Sequence, residues 1–72
     1  MSIGQRIKST RLDNDELQKD LAKYLGCSTK QIGRYESDEQ EMTASKIIAL
    51  CKHYKVSADY ILDLPKGLDW PR

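Results

Sequence analysis

The side chains with chemistry to offer gather in one short stretch, STKQIGRYES, residues 28–37. Lys30 and Arg34 stand four positions apart, so on a helix both leave the same face. Lysine is a mobile point donor, whereas the rigid fork of arginine matches paired acceptors such as O6 and N7 of guanine. Thr29 adds a methyl group and Ser28 a hydroxyl beside them. The plainer alternative is a solvated polar face, which outward charges form without any partner.

Chemistry of other kinds finds no constellation. Gly4, Gly26, Gly33 and Gly67 are scattered, so no glycine-rich phosphate loop is present. The single histidine, His53, has no Ser or Cys nucleophile arranged with it by any known pattern. It reads as a partly exposed helix residue. The carboxylate pairs Asp13/Asp15 and Glu39/Glu41 fall in turns beside solvent. Cys27 and Cys51 lack C-x-x-C spacing and read as small buried hydrophobes, with no metal site expected. An enzyme is not expected, nor a cofactor, and no small-molecule ligand is evident.

Seventy-two residues allow one small domain with one core. Apolar residues make up 39% and charged residues 32%, which suits a soluble globular chain, and no apolar run approaches membrane length. The N-terminus lacks the apolar core of a signal peptide, so a cytoplasmic location is the expectation. The net charge is only +1, but its distribution is uneven. Residues 1–36 carry seven Lys/Arg against five acids, while the loop 37–42 carries Asp38, Glu39 and Glu41 with no base.

Five helices must position these groups. Ser2 caps a first helix over residues 2–12, with Ile3 and Ile7 as its apolar stripe. Thr10 interrupts that stripe, so the end of this helix is expected to be rotated or frayed. Asp15 followed by Gln18 forms a capping-box pattern, which starts the second helix about a turn before Gln18 and aligns Leu17, Leu21 and Leu25. Gly26 supplies a left-handed stop, and Ser28 with Gln31 opens the next helix, Thr29 to Glu36. Ile32 and Tyr35 turn inward there; Thr29, Lys30, Gly33 and Arg34 turn outward. Glycine at 33 costs roughly 0.5–1 kcal/mol relative to alanine. It is either tolerated in a short helix or useful where the helix presses close to something. Thr43 caps a fourth helix reaching about Tyr54, with Ala44, Ile47, Ile48, Cys51 and Tyr54 at helical spacing. Ser57 caps a fifth, which Pro65 stops.

In register, Gln18, Leu21-Ala22, Leu25-Gly26, Ser28, Ile32 and Glu36 make a pattern that resembles the lambda repressor-like helix-turn-helix domains, the XRE family. Ile3-Gly4, Ile7 and Arg11 before it, and Ile47-Ile48, Leu50 and residues 56–62 after it, extend the resemblance over roughly residues 3–64. The resemblance implies an all-α fold of five compact helices, with residues 1–64 as a DNA-binding domain and 65–72 as a C-terminal tail. It makes Thr29–Glu36 the recognition helix and implies base-reading by Thr29, Lys30, Gly33 and Arg34 in the major groove. Ser28 and Gln18 are the implied phosphate contacts, although a helix starting early would move Gln18 from its mouth. Family members pair the glutamate at position 36 with an arginine of the first helix, here Arg11. That implies a structural ion pair; the alternative is a loose surface pair worth little. The family often has glycine where Asp38 stands, in a loop near the DNA backbone.

The function implied is a transcriptional regulator, a repressor that binds double-stranded DNA at a palindromic operator as a homodimer. Leu62, Leu64, Leu68 and Trp70 are candidates for the dimer surface, or else fold back over the core. The alternative is a protein-binding helix-turn-helix module, such as the partner-binding half of an antitoxin-like system. The near-neutral charge and the acidic loop favour it.

Overall fold

A computed structural model describes residues 2–62; Leu64, Leu68, Trp70 and the 65–72 tail lie outside the described residues. The helices are α1 (Ile3–Asp13), α2 (Gln18–Leu25), α3 (Thr29–Glu36), α4 (Ala44–Tyr54) and α5 (Ala58–Leu62), with no strand among the described residues. Each helix contributes one branched aliphatic residue to the centre. Ile7, Leu21, Ile32, Leu50 and Ile61 are all fully buried. Each is worth about 1.5–3 kcal/mol by its removal from water. Ala22, Tyr35, Met42 and Tyr54 complete the buried cluster.

The caps follow from local chemistry. Ser2 and Gln5 close a reciprocal capping box on α1, at 3.1 and 3.0 Å. Gly26 ends α2 at φ 72°, and the Cys27 N–H reaches back to the Ala22 carbonyl at 2.9 Å. The same wrap-back closes α3 and α4 on residues that are not glycine, Asp38 at φ 64° and Lys55 at φ 57°. Ser28, Thr43 and Ser57 each accept a backbone N–H at the head of α3, α4 and α5.

Four expectations need correction. α1 does not fray at Thr10: it runs to Asp13, with Thr10 buried and its hydroxyl donating to the Arg6 carbonyl at 2.8 Å. α2 does not start near Asp15, which is left-handed at φ 53°; Leu17 is the N-cap and Gln18 the first helical residue. Leu17 has no oxygen to offer, but Asp20 reaches back to its N–H at 3.3 Å and supplies half of a capping box. The expected Leu17–Leu21–Leu25 line therefore breaks at its start, where Leu17 is 57% exposed. On α4 the inward face runs through Ile47, Leu50, Cys51 and Tyr54, leaving Ile48 54% exposed. Cys27 and Cys51 are half-buried free thiols packed against the core rather than fully buried, and burial raises the Cys51 pKa.

Close approach of α1 to the end of α3 has a visible cause. A Cβ on Gly4 would stand 2.5 Å from the Tyr35 carbonyl oxygen and 2.7 Å from that of Glu36. Only glycine fits there, so α1 can approach the end of α3 this closely. Two residues along α1 from Gly4, the Arg6 guanidinium lies over the Tyr60 ring, 5.0 Å from its centroid, joining α1 to α5.

Candidate nucleic-acid interface

α2 and α3 cross at the Gly26 turn, and α3 is held from behind. Ile32 and Tyr35 are buried, whereas Thr29, Lys30 and Arg34 are exposed and Gly33 half-exposed. The polar edge of α3 thus faces away from the core, with Lys30 and Arg34 one turn apart upon it. Ser28 sits exposed at the N-cap; its hydroxyl oxygen accepts from the Gln31 N–H at 3.1 Å, which leaves the O–H free to donate outward.

Behind this face lies a polar junction. Arg11 Nε donates to Glu36 Oε2 at 2.7 Å and its second terminal nitrogen to Oε1 at 3.2 Å, with side-chain exposures of only 8% and 4%. The bidentate fork raises the Arg11 pKa above its ordinary value, first through the hydrogen bond to Glu36 and also through that carboxylate's charge, against the opposing effect of burial. The remaining Arg11 terminal nitrogen donates to the Glu16 carbonyl at 2.8 Å. Gln18 Nε2 donates to Glu36 Oε1 at 3.0 Å, so α1, α2 and α3 meet on one carboxylate. Gln18 is therefore at the helix mouth but engaged inward. An amide nitrogen carries two hydrogens, and the second remains for an outside acceptor.

Three positions escaped the reading of residues. Asp38 belongs to the fold: its carboxylate accepts the Gly4 N–H at 2.9 Å. Hydrogen bonds from the Ser2 hydroxyl and the Gly4 N–H lower its pKa. The left-handed φ at Asp38 explains why glycine suits that position. It was the one available signal. Glu16 and His53 are the other two. His53 is a partly exposed helix residue as expected, and it also has partners the reading did not name: its Nε2 pairs with Glu16 Oε2 at 2.9 Å and its ring stacks on Tyr24 at 4.0 Å. Tyr54 donates its hydroxyl to Glu16 Oε1 at 3.0 Å, and burial followed by that bond raises the Tyr54 pKa. No local pattern couples residues 37 and 38 positions apart.

Among the described residues no group of three His, Cys, Asp or Glu side chains is placed to hold a metal, and no helix is long and apolar enough to cross a membrane.

A two-helix unit with one face seated on a core and the other presenting short polar and basic groups defines a helix-turn-helix protein. The chain belongs to the XRE-type helix-turn-helix family (HTH_3, "Helix-turn-helix"), which matches residues 7–61. This is a family of DNA-binding transcriptional regulators, not of enzymes. The fold superposes on the crystal structure of the P22 c2 repressor protein in complex with synthetic operator 9T with a TM-score of 0.80 and 32% identity, covering 86% of this chain and 94% of that one. The chain is 32% identical to the HTH-type transcriptional regulator ImmR of Bacillus subtilis (strain 168), over 86% of this chain and 49% of ImmR. It is also 33% identical to the antitoxin PezA of Streptococcus pneumoniae serotype 4, over 76% of this chain and 35% of PezA. The chain thus spans about half the length of ImmR and about a third of PezA.

Proposed function

We propose that this chain is the operator-binding unit of a transcriptional repressor, acting as a homodimer on palindromic DNA with α3 in the major groove. The observation that carries the reading is the two-sided character of α3: Ile32 and Tyr35 anchor it, Glu36 locks its end, and Thr29, Lys30 and Arg34 stand outward together. Likeness to a repressor in complex with its synthetic operator supports it. In this reading Arg34 forks onto guanine O6 and N7, Lys30 donates to a neighbouring base edge, and Thr29 and Gly33 make apolar approach. Ser28 and the second Gln18 amide hydrogen hold phosphates and fix the register without reading sequence. The Arg11–Glu36 pair contributes by fixing α3, not by touching DNA.

One recognition helix reads only a few base pairs, so two half-sites about one helical turn apart are the natural target. The pairing surface lies toward the C-terminus. Leu62 lines a hollow of about 330 Å³ with Ile3, Ile7, Met42 and Ile47, and Leu64, Leu68 and Trp70 follow it in sequence. Selection from a randomised duplex pool tests the whole proposal. A palindromic winner, bound with affinity that falls steeply as salt rises, is the expected result. Failure to enrich any sequence would overturn it.

A second reading has its own support in the match to an antitoxin and in the exposed acids Glu39 and Glu41. A module whose main partner is a protein would form a tight complex with a co-expressed neighbour and show no duplex preference.

A further inference from the structure

The described residues include three glycines, and the folded chain has a use for two of them. Gly4 lies where a Cβ would strike the Tyr35 and Glu36 carbonyls, and Gly26 holds a φ of 72°. Gly33 has neither reason. Its φ is not positive, and no atom outside its own helix backbone and immediate neighbours would lie within 4 Å of a Cβ built upon it. Alanine would fit without a clash and would strengthen a helix of only eight residues. So the fold gives up stability at this one position and receives no packing or backbone geometry in return.

What Gly33 does create is a notch in the outward face. Thr29 stands one turn before it, Lys30 three positions before it, and Arg34 directly after it, all three exposed. No atom of the Thr29 or Lys30 side chain comes within 4 Å of where a Cβ on Gly33 would stand, so the space above its Cα is open. The floor is the Gly33 Cα itself. A small apolar group protruding from an otherwise polar surface is the matching shape. In the major groove only one base offers it, since thymine alone carries a methyl at C5. We infer that Gly33 is a specificity-determining position whose missing side chain receives a thymine 5-methyl group. This inference rests on the reading of α3 as a DNA-contacting helix and names what that helix selects at its centre.

Three measurements test it: melts of wild type and Gly33→Ala, their affinities for the duplex enriched by wild type, and both affinities again with each half-site thymine replaced in turn by deoxyuridine. Gly33→Ala should melt higher than wild type yet bind the enriched duplex at least tenfold more weakly. Deoxyuridine at one half-site position should weaken wild type several-fold and Gly33→Ala little further, because the alanine methyl already fills the notch. Equal affinity of the two proteins for the enriched duplex overturns the inference. So does a wild type indifferent to every deoxyuridine, or an alanine variant that melts lower, which would show that the fold itself needs the glycine. Should wild type enrich no duplex, the DNA-binding reading falls first and takes this inference with it. That result is reached before any variant is made, so the two failures are told apart.

Discussion

Two carboxylates, Glu36 and Glu16, each gather donors from distant helices, and they do so in opposite settings. Glu36 is sealed between α1, α2 and α3, facing a guanidinium that stays charged at every ordinary pH. Glu16 lies on the α1–α2 connection, with side-chain exposures of 20% for itself and 26% for His53, facing an imidazole and a phenol. The first junction fixes the angle of α3; the second ties α4 to the α1–α2 connection. Both hang on Arg11, which holds the Glu36 side chain and the Glu16 carbonyl together. Burial, rather than the number of hydrogen bonds, should therefore rank their contributions.

The hardest blow to that ranking is Glu36→Ala. It leaves a buried Arg11 without its counter-charge, a loss of about 3–5 kcal/mol. A domain of this size has about 5–10 kcal/mol in total, so thermal melts should show an early or lost transition. Replacing both partners by apolar residues, Arg11→Met with Glu36→Leu, should recover most of that loss, since the penalty belongs to the orphaned charge. A double variant no more stable than Glu36→Ala would mean the pair itself holds the helices.

Next in size is Glu16→Ala, which leaves the buried Tyr54 hydroxyl without its acceptor. A cost of about 1–3 kcal/mol is expected by urea unfolding, below that of Glu36→Ala. An equal or larger cost would reverse the ranking.

Alkali separates the two junctions more finely. The Tyr54 pKa is raised in the folded chain, so its contribution is complete below the ordinary tyrosine value of about 10 and is lost as pH climbs beyond it. Arg11 is shifted upward too and does not release its proton in that range. Wild type should lose stability in melts above about pH 10, and Tyr54→Phe should lose less over the same interval. Identical alkaline slopes would clear Tyr54 of the effect.

Acid gives the smallest effect, at a third carboxylate outside both junctions. The Asp38 pKa is lowered, so its contribution is present above the ordinary value of 3.8 and disappears as pH falls through the folded value. Asp38→Asn keeps an acceptor for the Gly4 N–H and tolerates the left-handed φ. Its melting point should trail wild type slightly at neutral pH, and the gap should close as pH falls below 3.8. A gap that persists in acid would assign the difference to geometry instead of charge.

The amino-acid sequence determined the helices, their caps at Ser2, Ser28, Thr43 and Ser57, the Gly26 stop and the inward Ile32 and Tyr35, because these depend on neighbours within a turn or two of chain. It also carried the Arg11–Glu36 pairing, through a family pattern that links positions 25 apart. Where local signals competed, they misled. Asp15 and Gln18 spell a cap, but the Arg11 guanidinium takes the Glu16 carbonyl and the chain turns left-handed at Asp15, so α2 begins two residues later than the cap implies. Thr10 reads as a flaw in α1 until the Arg6 carbonyl satisfies its hydroxyl and lets it be buried. Only tertiary structure could decide that Asp38 belongs to Gly4, that Gln18 turns toward Glu36, and that His53 and Tyr54 share Glu16. Each of those bonds joins polar groups whose meeting depends on how whole helices pack, and no periodicity within one helix encodes the distance to another.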